Sequence, residues 1–190
     1  MARPRSEDKQ DAILAAAIAL IAERGLNATP TSAISKAANV AEGSLFTYFK
    51  TKEQLVNRLY LELKRELAGV LLEDFPERGD ARSQFRHVWD RYADWGVANP
   101  DKKKVMDQLN VSGQISAESR AIGAAPFAAL ETIVKTNIAA RVLRDLPVAL
   151  VVGAMGSLVE MTIGFMVQYP EQAQEYRTQG FELLWNGIAC

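Results

Sequence analysis

Glu42, Gly43, Ser44, Thr47, Tyr48 and Lys52 fall within one short stretch of the chain. Their types suit contact with a nucleic acid. A carboxylate can accept from cytosine N4, and a threonine methyl can pack on the methyl of thymine. Hydroxyls and ammonium groups bond phosphate oxygens, which fix register without reading sequence. Glu42, Gly43, Ser44 and Thr47 are therefore expected at base edges, with Gly43 allowing close backbone approach at a position where glycine costs helix stability. Tyr48 and Lys52 are expected at the backbone of the duplex, with Thr31 adding a hydroxyl from just upstream. For each of these residues the alternative is an ordinary solvent-facing side chain.

The surrounding residues supply elements that would place this set. Thr29 reads as an N-cap, followed by Pro30 at the first helical position, where its missing N–H costs nothing. Ile34, Ala37 and Ala38 give a short apolar face. Asn39, tolerant of left-handed backbone, marks the stop, and Val40 plugs the turn. A second helix runs from about Ala41 to Phe49, with Leu45 and Phe49 inward. Two short helices joined by a tight turn are the layout of a helix-turn-helix, whose second helix enters the major groove. Ahead of it, a helix from Glu7 to Arg24 is capped by Ser6, buries Leu14, Ala17, Ile18 and Ile21, and closes at Gly25. Arg3 and Arg5 precede it, as an arm for a minor groove or as a solubilising tail.

Several of these residues recur in order: Gly25, Ala28-Thr29, Ile34-x-x-Ala37-Ala38-x-Val40, then Gly43-x-Leu45-Phe46-x-Tyr48-Phe49-x-x-Lys52-Glu53-x-Leu55. This segment resembles the N-terminal domain of the TetR family of bacterial transcription regulators. The resemblance implies an all-α protein. A helix-turn-helix DNA-binding domain over residues 1–51 would precede a helical effector-binding and dimerisation domain over 52–190. It implies a homodimer on palindromic double-stranded operator DNA, released by a small-molecule effector, and most simply a repressor in the cytoplasm. The chain departs from the family pattern at three places. Ser32 stands where a longer DNA-reaching residue is common, Phe46 replaces tyrosine and is expected to pack, and Ala41 replaces the usual capping hydroxyl.

Beyond Lys52 the pattern stays helical, about nine helices in all, with no strand signal. A long helix from Lys52 to about Asp74 joins the two domains. After the loop Pro76–Asp80, a helix from Ala81 to Ala98 carries Phe85, Val88, Trp89, Tyr92 and Trp95 on one face. Pro126 is a kink or restart within Ser116–Arg141. Phe85, Trp89, Tyr92, Trp95, Met106, Phe127, Met155 and Phe165 are the candidate effector pocket, since methionines and aromatics suit an adaptable apolar cavity. Such stripes are also what an ordinary core requires. Gln108, Asn110, Ser112 and Gln114 could add polar contacts, and a neutral or apolar effector is expected. Gly153, Gly156 and Ser157 allow close helix approach, and with Phe181, Leu184 and Trp185 they form the candidate dimer interface.

Composition narrows the remaining classes. The formal net charge is −1, but residues 1–52 carry seven basic against five acidic groups, and the remainder 15 against 18. The basic end is the one with the helix-turn-helix. One histidine and one cysteine, His87 and the terminal Cys190, leave no set for a multi-histidine metal site, a disulfide or a histidine-based triad. No enzyme, metal or cofactor is expected. Pro147–Val167 has the length of a membrane span, but flanking amphipathic helices favour a buried helix of a bundle, with no membrane partner. The reading from a different class is an apolar-ligand carrier or helical interaction module with a vestigial DNA-binding domain.

Overall fold

The computed structural model describes residues 4–190, with side chains from Asp8 onward. Its α-helices are α1 (Pro4–Arg24), α2 (Thr31–Ala37), α3 (Glu42–Tyr48), α4 (Lys52–Leu72) and α5 (Ala81–Ala98), then α6 (Pro100–Val111), α7 (Ala117–Ala124), α8 (Ala128–Ala139), α9 (Val148–Gln168) and α10 (Ala173–Ile188). Pro126 breaks the segment expected as one helix: α7 stops, a 3₁₀ turn spans Ala125–Phe127, and α8 restarts. That restart separates the ten α-helices from a nine-helix pattern. Among the described residues the one trace of extended pairing is a single bridge between Leu143 and Ala189. Ser6 lies inside α1 rather than ahead of it, so it is not a cap. Arg3 and the side chain of Arg5 lie outside the described residues.

Packing groups residues 1–64 with 100–123, and residues 65–99 with 124–190. The long helix α4 contributes to both units, and α6 packs on α1. In the first unit Ile13, Ala17, Ile21, Ile34, Leu45, Leu55, Val56, Met106 and Leu109 are buried.

In the second unit α9 packs on α5 and α10. Trp89 is fully buried, donates Nε1–H to the Arg177 carbonyl at 3.0 Å, and meets Phe181 edge-on at 6.0 Å. Gly180 permits that approach: a Cβ there would fall onto Thr162 Oγ1 and 2.9 Å from Trp89 Cζ2. Asp80 caps α5, its Oδ1 accepting from Ser83 N–H at 2.7 Å.

The expectation of a buried Pro147–Val167 segment is corrected. Val151, Val159, Thr162, Ile163 and Met166 are buried, whereas Leu150, Val152, Met161, Phe165 and Val167 are exposed. Only 28% of the most apolar window of α9 is covered within the chain. The fold therefore covers only part of the apolar surface of α9.

Candidate nucleic-acid interface

Gly25 ends α1 at φ +88°, a conformation strained for any residue with a Cβ, and its N–H still reaches the Ile21 carbonyl at 2.8 Å. Thr29 is not the expected cap of α2. It is fully buried and donates its hydroxyl back to the Gly25 carbonyl at 2.8 Å, tying down the end of α1. The residue before α2 is Pro30, with extended backbone and no side-chain cap. Asn39 adopts φ +52°, as its type suggested. Around it Val40 N–H bonds Ser35 O at 3.0 Å and Asn39 N–H bonds Lys36 O at 3.2 Å, the paired bonds of a Schellman turn.

Past that turn, α3 starts without a side-chain cap at Ala41 and buries Leu45 and Phe49. Burial of that pair leaves Glu42, Gly43 and Thr47 exposed and Ser44 and Tyr48 half-buried. A Cβ at Gly43 would meet nothing within 4 Å, so the face is open there. Thr47 donates its hydroxyl to Gly43 O at 3.0 Å and stays exposed. In α2, Thr31 is half-buried and Ser32 is exposed. Phe46, expected to pack, is 37% exposed on the same open side. The α3 periodicity puts it about 100° from Leu45, outside the narrow buried stripe.

Lys52 is half-buried, and its Nζ donates to the Leu26 carbonyl at 2.9 Å. Two further N–H bonds of the ammonium stay available. A capping pair overlooked in the sequence sets the start of α4. Thr51 Oγ1 accepts from Gln54 N–H at 3.1 Å, while Gln54 Oε1 accepts from Lys50 N–H at 2.9 Å. The signal was present as Thr51-x-x-Gln54, a near relative of the capping box. Deeper in the unit, burial pushes the Tyr60 phenol up, partly countered by the Arg120 charge.

The polar residues of α6 and its exit, expected near an effector, are engaged with the helix-turn-helix side of their unit instead. Gln108 bonds Leu26 N–H at 2.9 Å and Gln114 bonds Asn27 Oδ1 at 3.1 Å. A cleft of about 560 Å³ lies between these groups, lined by Arg24, Leu26, Asn27, Gln108, Val111 and Gln114.

The eight residues expected to line an effector pocket are dispersed. Met106 is buried in the first unit, and the other seven belong to the second. Phe85 and Trp89 fill space against Trp185 and Phe181 and so serve as core. Trp95 is buried with Nε1–H on Glu66 at 2.9 Å, and Tyr92 bonds Glu160 at 3.2 Å. Phe165 lies outside, stacked on Tyr176 at 5.2 Å. Met155 and Phe127 are half-buried.

The expected interface residues also divide. Gly153 and Ser157 are exposed on α9 and Gly156 is half-buried. Phe181 and Leu184 are each 1% exposed and belong to the core, with Trp185 half-buried beside them. Leu183, at 63%, is the outward apolar residue of α10.

Residues 13–59, the segment containing this helix-turn-helix, match the family model of bacterial regulatory proteins of the tetR family. Over those residues the chain is similar to the TetR family. Across the wider TetR comparison, it is 34% identical over 76 residues to the fatty acid metabolism regulator protein of Bacillus subtilis, covering 40% of this chain and 39% of that one. The match therefore spans well under half the length of that relative. It is 28% identical to a TetR family transcription regulator from Shewanella sp. PV-4, with a TM-score of 0.88 over 96% and 98% of the two chains. The FadR regulator of B. subtilis, solved with stearoyl-CoA, shares the fold at a TM-score of 0.74 and 23% identity, over 94% and 98%.

Proposed function

We propose that this chain is a ligand-responsive transcription regulator of the TetR type that binds a palindromic operator as a homodimer and represses until a small-molecule effector releases it. The observation that carries the reading is the open face of α3. Glu42, Gly43 and Thr47 are exposed on a short helix whose entry angle is set by Gly25 and the Asn39 turn. Residues 1–51 then form the DNA-binding domain, with Thr31, Ser32, Ser44, Tyr48 and Lys52 around the reading face, and residues 52–190 the effector and dimerisation domain.

Two recognition helices must lie about 34–36 Å apart to enter successive major grooves, which requires a two-fold partner. The exposed stripe Leu150, Gly153, Ser157 and Met161 on α9 supports dimerisation, because a soluble chain seldom leaves so apolar a helix face uncovered. Such a protein works in the cytoplasm and needs no catalytic centre. The effector is neutral or apolar, taken up among Tyr92, Phe127, Met155 and their neighbours. It acts by favouring a position of α4 that separates the recognition helices, a shift of populations set by its differential affinity.

The test is capture of sheared genomic DNA on the purified protein at about 150 mM salt, which suppresses non-specific phosphate binding. Enrichment of promoter fragments sharing an inverted repeat is expected. Stearoyl-CoA, bound in the B. subtilis protein of the same fold, is the first probe for release. Its acyl chain is apolar but its CoA part is anionic, so release by it would overturn the neutral-effector part of the reading. A ligand-stripped, refolded dimer that enriches nothing would point to an apolar-ligand carrier instead.

A further inference from the structure

The turn between α1 and α2 is held by side chains from two distant helices. Leu26 is buried, and α1 has ended before it, so neither of its peptide groups has a partner in a helix. Gln108 Oε1 of α6 accepts the Leu26 N–H at 2.9 Å, and Lys52 Nζ of α4 donates to the Leu26 carbonyl at 2.9 Å. The same Gln108 amide donates Nε2–H to Ile21 O at 3.3 Å.

Asn57 on α4 makes the equivalent pair of bonds to the connection between α6 and α7. Its Oδ1 accepts Ser116 N–H at 2.9 Å and its Nδ2 donates to Gln114 O at 2.9 Å. The Gln114 side chain then returns to Asn27 Oδ1 at 3.1 Å. The result is a closed polar ring: turn, α6, the α6–α7 connection, α4, and back through Lys52. All of it lies within one packing unit. A side-chain amide that both donates to and accepts from the main chain substitutes for a backbone neighbour, and it fixes position in a way an apolar contact does not.

We propose that Asn57 and Gln108 are positioning residues that lock the α1–α2 turn to the α6–α7 connection. A displacement of that connection is thereby delivered to α2 and α3 through side-chain amides as well as along α4. The functional half of this statement rests on the regulator reading above; the mechanical half does not.

The test uses the full chain and two amide protons as reporters, Leu26 N–H and Ser116 N–H, followed by hydrogen exchange. Asn57→Leu removes no bond to Leu26, yet exchange at Leu26 is expected to accelerate about tenfold or more, and Gln108→Leu is expected to do the same at Ser116. Gln108→Glu keeps the acceptor for Leu26 N–H and should restore protection there. Where a leucine variant loses far-ultraviolet helicity, Asn57→Asp, which keeps the acceptor for Ser116, replaces it. Affinity for the captured operator fragment should fall about tenfold in both leucine variants, with an unchanged salt slope, since neither residue is placed at a phosphate.

Leu26 protection and operator affinity both unmoved by Asn57→Leu would overturn the inference. Coupled exchange in a protein that binds no duplex would support the mechanical lock while refuting the regulator reading.

Discussion

Lys52 Nζ lies 2.9 Å from the carbonyl oxygen of Leu26, so the cation proposed to meet a phosphate also anchors the turn in front of the helix-turn-helix. Replacing Lys52 by Met should therefore have two effects. Losing a charge-assisted hydrogen bond lowers stability by about 1–2 kcal/mol, read from denaturant unfolding. Losing a phosphate contact lowers the slope of log affinity against log salt by about 1 per protomer. A destabilised protein with an unchanged slope would reduce Lys52 to an anchor.

Glu42 makes the opposite kind of prediction. It is exposed on α3 beside an open Gly43. Glu42→Ala should leave the salt slope alone and change which base is preferred at one position of each half-site, by about 1–3 kcal/mol of discrimination. Selection from a randomised duplex library measures it, and an unchanged consensus would remove Glu42 from base readout.

Met161 and Phe181 separate the proposed dimer face from the core. Met161 is 45% exposed on α9, whereas Phe181 is 1% exposed against Trp89. Met161→Glu should yield a folded monomer by analytical ultracentrifugation. Phe181→Ala should instead cost about 3–5 kcal/mol of folding stability. A dimeric Met161→Glu protein would move the contact surface elsewhere.

Asp80 gives a pH dependence of known sign. Its hydrogen bonds from Ser83 hold the carboxyl below its ordinary 3.8. A depressed folded value means the stabilisation is complete above 3.8 and disappears as pH falls through the lower folded value. Thermal unfolding of Asp80→Asn should show a shallower loss of stability on acidification than the parent, with the two differing little at neutral pH.

The helix-turn-helix was legible because its determinants are local. Gly25 and Asn39 adopt the left-handed backbone that their types suggested, and Leu45 and Phe49 fall on one side of two turns. Thr29 was misread because a capping hydroxyl and a buried one leave the same trace before a proline. Phe181 and Leu184 were misplaced for a related reason: apolar periodicity marks a covered face, not whether the cover is the same chain. Phe85 and Trp89 show the same limit, as packing against Phe181 and Trp185 consumes an aromatic stripe that could as well have lined a cavity. The amides of Asn57 and Gln108 had no signal to read. Their partners are 57–59 and 82–87 residues away, and a single long-range hydrogen bond imposes no period on its surroundings.

The ring that closes on Leu26 also orders events during synthesis. A nascent chain that has released only its first 60 or so residues holds α1 to α3 but lacks Gln108, so the Leu26 N–H has no acceptor until α6 has emerged from the ribosome. The last hydrogen bond of a turn near the amino terminus therefore forms only after more than half of the polypeptide has been made.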